Sequence, residues 1–285
     1  MKNILILGAS GMAGHIIYTY LKENTDYAIV GTTNKTRFND STLSLDIRNT
    51  TAVEDLIVSQ KPDIVINCIG ILIKESKTNP SNTVYCNAYF PHFLKQVTNS
   101  VGAKLIHIST DCVFSGKTGG YTENSFKDVT DVYGLSKSLG EIIDNKNLTI
   151  RTSIIGPELK IDGEGLFNWF MNQDGEVSGY KSSFWSGVTT LELAKFIAWV
   201  IKNPITGLYH LTNNTPISKF ELLNLFKKVH QKNLDINSNV DYKCDKSFIN
   251  TLHPNYYKVP TYLVMLEQQK GFMLEHQKLY KSYNI

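Results

Sequence analysis

Short apolar runs alternate with amphipathic stretches over the first half of the chain. Near-continuous apolar runs of this length are typical of parallel strands covered on both faces. Strands followed by helices predict a Rossmann-type, doubly wound parallel α/β sheet, with ligands at the carboxyl ends of the strands. The predicted strands are Ile4–Leu7, Tyr27–Thr33, Leu43–Ile47, Asp63–Cys68, Lys104–Ser109 and Leu148–Thr152.

Helical patterns separate these strands. The first helix follows Gly14. A second is predicted over Thr51–Gln60, where Thr51 and Glu54 have the spacing of a capping box and Pro62 follows the end. Two further helices are predicted over Asn79–Ser100 and Asp131–Asp144.

The pattern loosens after Gly156. Residues 163–187 hold glycines interspersed with aromatic residues. Helices are predicted over Thr189–Lys202 and Ser218–His230, each opening with a capping box, with a strand over Gly207–Thr212 between them. We therefore expect a dinucleotide-binding domain over residues 1–156 and a smaller mixed α/β lobe over 157–285, interleaved with the end of the sheet.

Glycines at positions 8, 11 and 14 follow the first strand directly. Gly8 permits a sharp turn, Gly11 lets the backbone approach a phosphate, and Gly14 lets helix pack on strand. Free N–H groups at the helix N-terminus would face the anion. This turn predicts a pyrophosphate-binding site.

Tyr133 and Lys137 are four residues apart, which places them on one face of a helix. A lysine ammonium beside a tyrosine stabilises phenolate, so the phenol could exchange a proton with a carbonyl oxygen nearer neutral pH. Tyr18/Lys22 and Tyr242/Lys246 share the spacing, so context must decide. Of the three pairs, only Tyr133/Lys137 follows a buried strand. The end of that strand places the Thr110 hydroxyl at the sheet edge.

Composition narrows the class of protein. Of 285 residues 42% are hydrophobic and 19% charged, and the net charge is +3 without a dense basic block, which is typical of a globular protein that binds no nucleic acid. The four cysteines have neither disulfide density nor metal-ligand spacing. Neither a membrane span nor a signal peptide is evident. We expect a cytoplasmic protein without a metal.

The second predicted strand ends without an acidic residue that could bind a ribose hydroxyl. Thr33 and Asn34 offer small polar groups there, while Lys35 and Arg37 could pair with a 2′-phosphate. The segment therefore favours NADP(H), with NAD(H) as the other possible cofactor.

Together these motifs resemble an extended short-chain dehydrogenase/reductase. The residues concerned are Gly8/Gly11/Gly14, Asp46, Asn67, Asn87, Ser109-Thr110-Asp111 and Tyr133…Lys137. The stretches 109–116, 120–123 and 151–153 narrow the resemblance to the dTDP-4-dehydrorhamnose reductase group. It covers nearly the whole chain and is strongest through about residue 156.

The resemblance implies hydride transfer from a nicotinamide to C4 of a nucleotide-linked 4-keto-6-deoxy sugar, in the biosynthesis of a surface polysaccharide or glycan. It assigns catalysis to Thr110, Tyr133 and Lys137, and places residues 151–155 near the nicotinamide. The sugar would contact Asp111, Cys112, Trp185 and Thr189. The cofactor would contact Gly8, Ser10, Gly11, Met12, Thr33, Asn34, Arg37, Asp46, Ile47, Cys68, Ile69, Gly70, Asn87 and Lys137. Relatives of this kind occur as monomers and dimers, so a homodimer is possible.

Two positions depart from the group. Cys112 stands where the rhamnose enzymes carry tyrosine, and residues 185–190 replace a Gly-x-Pro-Thr stretch. These changes favour a UDP-linked 2-acetamido-2,6-dideoxy-hexulose over dTDP-4-dehydrorhamnose. Trp185 could stack on uracil or pack in the core. An epimerase of the same sugars and a non-catalytic NADP-binding subunit remain alternatives, whereas a 4,6-dehydratase is disfavoured because Cys112, not glutamate, follows Asp111.

Overall fold

Fourteen strands are present in the computed structural model, which describes residues 1–34, 38–160 and 162–283. They are β1 (Asn3–Leu7), β2 (Ala28–Thr33), β3 (Thr42–Ser44), β4 (Ile64–Asn67), β5 (Lys104–Thr110), β6 (Leu148–Thr152), β7 (Ile154–Ile155), β8 (Gly175–Tyr180), β9 (Ser183–Trp185), β10 (Val188–Thr189), β11 (Gly207–His210), β12 (Ile217–Ser218), β13 (Leu234–Asn239) and β14 (Cys244–Asp245).

Seven of these strands form one parallel sheet in the order β3-β2-β1-β4-β5-β6-β11. Successive residues of β1 enter different cores: Ile4 and Ile6 pack with one cluster, and Leu5 and Leu7 with another. A sheet that is buried on both faces in this way needs layers of helices on both sides. The predicted fold class, a doubly wound α/β sheet, is confirmed.

Ten α-helices flank the sheets of the described part. They are α1 (Gly14–Asn24), α2 (Thr50–Gln60), α3 (Ile73–Thr78), α4 (Pro80–Val84), α5 (Phe90–Ser100), α6 (Val132–Leu139), α7 (Leu166–Met171), α8 (Thr190–Lys202), α9 (Lys219–His230) and α10 (Tyr262–Glu275). A π-helical turn over Tyr85–Tyr89 and a 3₁₀ turn over Asp111–Val113 complete the set.

Three helix predictions need correction. The cap of α2 is Asn49, whose side chain accepts from the N–H of Ala52, so the predicted capping box at Thr51 is wrong. The single helix predicted over 79–100 is α4, the π-helical turn and α5 in succession. The helix predicted to reach Asp144 ends at Leu139, with Gly140 as its C-cap, where a Cβ would stand 1.9 Å from the carbonyl oxygen of Asn87.

The second half is richer in short strands than the sequence predicts. Strand β9 pairs with both β12 and β14, and β13 pairs in parallel with β8. The expected caps are present at Ser218 and Thr189, although Glu192 accepts from the Tyr257 hydroxyl rather than closing a box. Strand β11, from the second half of the chain, belongs to the main sheet. The division at residue 156 stays a prediction.

Candidate active site

A cleft of about 450 Å³ lies at the carboxyl ends of the central strands. Its lining comes from four regions: the glycine turn after β1, the loop after β4, the end of β5 with the start of α6, and the segment 152–165. Among the lining residues are Ser10, Gly11, Met12, Cys68, Ile69, Gly70, Thr110, Asp111, Cys112, Tyr133 and Lys137. The sequence predicted each of these eleven as a site residue.

The glycine turn has the geometry that its spacing predicts. Gly8 has a φ of +81°, and a Cβ at Gly14 would stand only 2.1 Å from the Gly8 carbonyl oxygen. A Cβ at Gly11 would meet only that same oxygen, at 3.4 Å, so the cleft side of Gly11 is open. Gly8 therefore makes the turn, while Gly11 and its neighbours present the backbone to the cleft.

The loop after β4 forms the facing wall, and buried amides hold it in place. Asn67 accepts from the N–H of Ile69 at 3.1 Å. Asn87, in the π-helical turn, accepts from the N–H of Ile71 at 2.9 Å and donates to its carbonyl at 3.0 Å. Asn87 was expected to touch the cofactor, but its amide is fully buried and engaged with the loop. It therefore positions this wall rather than lining the cleft.

Thr110, Tyr133 and Lys137 all line the cleft, and Tyr133 forms a hydrogen bond with Thr110. Thr110 terminates β5, and Tyr133 and Lys137 lie on α6, whose first turn is capped by the Asp131 side chain. A Cβ at Gly134 would stand 2.3 Å from the Cys112 carbonyl oxygen, so α6 approaches the 111–113 turn as closely as a glycine allows. The Lys137 ammonium donates to the Ile108 carbonyl at 2.6 Å.

Burial decides the protonation of this group. It raises the pKa of Tyr133 well above the usual value, although a hydrogen bond with Thr110 opposes the shift. It lowers the pKa of Lys137 to about 8, and the Glu141 carboxylate opposes that shift. The expected lowering of the phenol pKa is therefore not present in this arrangement: Tyr133 is protonated at neutral pH, and burial makes it a weaker acid than a free tyrosine.

Two lysines that the site prediction did not include face Asp111 and Cys112. Burial lowers the pKa of Lys219 to about 8, with Asp111 and Cys112 opposing. Burial also acts to lower the pKa of Lys246, but Cys112 and Asp111 outweigh it and raise that pKa. In the described ranges neither lysine forms a salt bridge with a carboxylate. Burial raises the pKa of the Cys112 thiol to about 12, so it is no nucleophile.

Trp185 and Thr189 lie outside the cleft lining. The Trp185 ring is buried against Tyr262, with ring centres 5.5 Å apart, and the Lys219 ammonium lies 5.2 Å from its centre. Thr189 accepts from the N–H of Glu192 and so caps α8. The structure gives Trp185 a packing role and Thr189 a capping role, and their predicted sugar contact stays a prediction.

The predicted adenosine end of the cofactor site is less complete. Thr33 ends β2, and its hydroxyl is buried without a hydrogen-bond partner among the described residues. The Asn34 carbonyl accepts from Ser44. Asp46 is at the surface, in an exposed ion pair with Arg48 at 2.8 Å, and Ile47 is buried in the core. Lys35 and Arg37 lie outside the described residues.

The end of β6 and the segment after it add further lining residues, and the sequence predicted only some of them. Thr152, Ser153 and Ile154 reach the cleft, as their expected place near the nicotinamide requires, whereas Arg151 is buried in an ion pair with Glu141. Glu158 also lines the cleft and was missed. Burial raises the pKa of its carboxyl, although the N–H of Gly165 donates to it at 2.7 Å. A glutamate in a glycine-rich segment carries no motif that could have indicated this.

Two kinds of feature are absent from the described ranges. No group of three His, Cys, Asp or Glu side chains could hold a metal ion there. No helix in those ranges combines the length and apolar character needed to cross a membrane.

Comparison with known proteins supplies the context for this cleft. A family model described as RmlD substrate binding domain matches residues 1–241. The dTDP-4-dehydrorhamnose reductase of Aggregatibacter actinomycetemcomitans is 30% identical over 159 residues, which are 54% of this chain and 51% of that protein. Methionine adenosyltransferase 2 subunit beta of Xenopus laevis is 26% identical over 235 residues, or 78% and 70% of the two chains.

A solved structure shares the fold. The dTDP-4-dehydrorhamnose reductase from Bacillus anthracis, solved in complex with NADP, superposes with a TM-score of 0.80 at 22% identity and covers 95% of this chain and 99% of its own. The curated reductases confirm the predicted class of protein, an NAD(P)-dependent oxidoreductase. The match over residues 1–241 confirms the resemblance on which that prediction rested. The chain belongs to the RmlD substrate binding domain family.

Proposed function

We propose that this protein uses NADPH to reduce the C4 keto group of a nucleotide-linked 4-keto-6-deoxy sugar. The observation that carries the proposal is that Thr110, Tyr133 and Lys137 line the same cleft as the open glycine turn, with Tyr133 hydrogen-bonded to Thr110. A polariser, a proton donor and a cation then lie next to a dinucleotide cradle, which is what carbonyl reduction requires. The sequence relationship to curated dTDP-4-dehydrorhamnose reductases supports the same reaction.

The residues present fit a dinucleotide. The backbone of Ser10, Gly11 and Met12 faces the cleft at the N-terminal end of α1 and would bind the diphosphate. The buried Thr33 hydroxyl has no partner among the described residues and would bind the adenosine ribose or its 2′-phosphate. Lys137 would hold the nicotinamide ribose. When bound, the cofactor supplies the hydride that is added to the sugar C4.

The protein supplies the proton. As C4 gains the hydride, its oxygen gains a proton from the Tyr133 hydroxyl, and the Thr110 hydroxyl donates a hydrogen bond to that oxygen. The Lys137 ammonium stabilises the tyrosinate that is left behind. Burial keeps Tyr133 in the protonated form that a donor needs but also makes the phenol a weaker acid, so its proton transfer depends on the Lys137 cation.

Substrate recognition would involve residues of the second half of the chain that lie next to Asp111 and Cys112. Lys219 and Lys246 face Asp111 and Cys112 without a carboxylate ion pair in the described part, so they are available for the diphosphate that links sugar and nucleoside. Cys112 is smaller than the tyrosine of the rhamnose enzymes and leaves room beside the sugar. We therefore favour a UDP-linked 2-acetamido-2,6-dideoxy-hexulose over dTDP-4-dehydrorhamnose.

A second candidate is a non-catalytic NADP-binding subunit. The similarity to methionine adenosyltransferase 2 subunit beta over 78% of the chain favours it, since that protein is named as a subunit. Fold alone does not separate the two roles. The proton-donor group at Tyr133 favours the reductase.

The test is loss of NADPH absorbance with enzymatically generated 4-keto-6-deoxy sugars. The panel pairs dTDP and UDP carriers with 2-hydroxyl and 2-acetamido sugars. Turnover of one sugar that Tyr133→Phe abolishes supports the reductase and identifies its substrate. Tyr18→Phe is the matched control, because Tyr18 and Lys22 share the same spacing away from the cleft. Tight NADPH binding without turnover of any sugar would favour the subunit instead.

A further inference from the structure

A buried carboxylate lies directly behind the proposed catalytic group. The Glu141 side chain is 1% exposed and follows the end of α6. It accepts from the Ser109 hydroxyl at 2.7 Å, from Arg151 Nε at 2.8 Å and Nη2 at 2.7 Å, and from Lys127 Nζ at 3.1 Å. Removing such a charge from water costs free energy, and these four hydrogen bonds offset that cost.

These bonds join the strands that carry the cleft. Ser109 immediately precedes Thr110 in β5, and Arg151 belongs to β6. Arg151 Nη1 lies 2.8 Å from His210 Nε2 in β11, and its guanidinium packs 5.1 Å from the Phe114 ring centre. One carboxylate thus links the end of α6 to β5 and β6 just behind Thr110.

Glu141 also lies near Lys137: it accepts from Ser109, and the Lys137 ammonium donates to the carbonyl of the preceding residue, Ile108, at 2.6 Å. Three ionisable groups interact electrostatically with the Lys137 ammonium: the Glu141 carboxyl, the Cys68 thiol and the His107 ring. Burial raises the pKa of the Cys68 thiol to about 12 and lowers that of His107 well below the usual value, so both are neutral near pH 7. Burial would raise the pKa of Glu141 too, but Arg151, Lys127 and Ser109 hold it low. Of the three, Glu141 alone is charged.

We propose that Glu141 is a positioning residue: it fixes Ser109, and with it Thr110, and it supplies the buried negative charge that keeps Lys137 an ammonium. This inference rests on the roles proposed for Thr110 and Lys137. Its electrostatic half concerns the free protein and is measurable without any sugar substrate.

The first experiment measures the protonation midpoint of Lys137 by NMR of isotope-labelled lysine side chains. The signal is assigned by its absence in Lys137→Met. Glu141→Gln keeps the shape of the side chain but removes the charge, so the midpoint falls from near 8 by about one pH unit. Lys127→Met removes a positive charge that is paired with Glu141, so the Glu141 carboxylate acts more strongly on Lys137. The Lys137 midpoint should therefore rise by about a few tenths of a pH unit, as is typical of a partly exposed partner.

Opposite shifts separate electrostatics from structure, because loosened packing around Lys137 would relieve its burial and raise the midpoint in both variants. Glu192→Gln is the matched control, because Glu192 is a buried glutamate that is bonded to Tyr257 away from the cleft lining. In this variant the Lys137 midpoint should equal that of the wild type. An unchanged midpoint in both Glu141→Gln and Lys127→Met overturns the proposal. If Glu141→Gln does not fold, Lys127→Met decides, since Lys127 is 31% exposed.

The second experiment tests positioning through turnover of the sugar found active in the panel. Ser109→Ala removes the link to Glu141 but leaves the charge, so kcat falls about tenfold while the Lys137 midpoint stays unchanged. An unchanged kcat would overturn the positioning half. Absence of turnover in the wild type would instead contradict the proposed function, and the NMR result would stand independently of it.

Discussion

Two regions that border the cleft are built in opposite ways. The wall formed by β5 and α6 takes Thr110, Tyr133 and Lys137 from one stretch of chain, on backbone fixed by a parallel ladder and a capped helix. The second region, the lobe wall, borders Asp111 and Cys112 outside the cleft lining and takes Lys219 and Lys246 from separate elements, next to strands of only two or three residues. The first wall is rigid because its backbone is paired, whereas the second depends on side-chain packing.

This difference predicts a division of labour. On the α6 wall a small backbone shift would misplace the proton donor, and such misplacement lowers the rate of the chemical step. On the lobe wall a substitution would remove a contact that substrate and transition state share, which raises KM and leaves kcat unchanged. Substitutions matched for size on the two walls should therefore separate kcat effects from KM effects.

The largest effect is expected for Gly134→Ala. Its new Cβ would stand 2.3 Å from the Cys112 carbonyl oxygen, so α6 must move away from Thr110. We expect kcat to fall about a hundredfold. Gly271→Ala in α10 is the control, since a Cβ there meets nothing within 4 Å and alanine favours the helix. Equal kcat in the two variants would contradict a rigid α6 wall.

Lys219→Met tests the lobe wall. Removing one of two cations near Asp111 should raise KM for the nucleotide sugar about tenfold, with kcat within twofold, because the diphosphate is bound equally in ground and transition states. Steady-state kinetics on the active sugar measure both constants. Lys228→Met, an exposed lysine of the same helix, should change neither. A fall in kcat for Lys219→Met would place this lysine in the chemistry.

The sequence allowed prediction of the α6 wall because its signals are local. Gly8/Gly11/Gly14, Thr110 after an apolar strand, and Tyr133/Lys137 at helical spacing each lie within one element or its end. Such patterns depend on backbone geometry that neighbouring residues determine. The order of elements then follows from the parallel sheet, which brings their carboxyl ends to one edge.

The lobe wall could not be predicted in this way, because its contacts join residues far apart in the chain. Trp185 packs on Tyr262, and no local pattern distinguishes that from a sugar contact. Helix α10 escaped prediction since Val264 and Leu274 are apolar but exposed while Gln269 is polar but buried. The Tyr133 pKa was misjudged for the same reason: the lysine was visible in the sequence, but the burial was not.

Asn87→Ala tests whether the facing wall of the cleft is held by a side chain. It removes both hydrogen bonds to the Ile71 backbone and leaves that buried N–H without its partner. We expect the free energy of unfolding to fall by about 1–3 kcal/mol and the Kd for NADPH to rise severalfold. Denaturant unfolding and fluorescence titration measure the two. Asn224→Ala, an exposed asparagine on α9, is the control. Unchanged affinity would mean that the loop after β4 is fixed without Asn87.

The smallest kinetic effect is expected for Trp185→Phe. The indole is buried against Tyr262 and away from the cleft lining, so kcat and KM should each stay within about twofold of the wild type. The smaller ring leaves a cavity, which should lower the free energy of unfolding by about 1–3 kcal/mol. Steady-state kinetics and denaturant unfolding on the same preparation give both values. A tenfold rise in KM with unchanged stability would restore Trp185 to the sugar or uracil site, and would show that the lobe wall closes around substrate more tightly than its packing alone indicates.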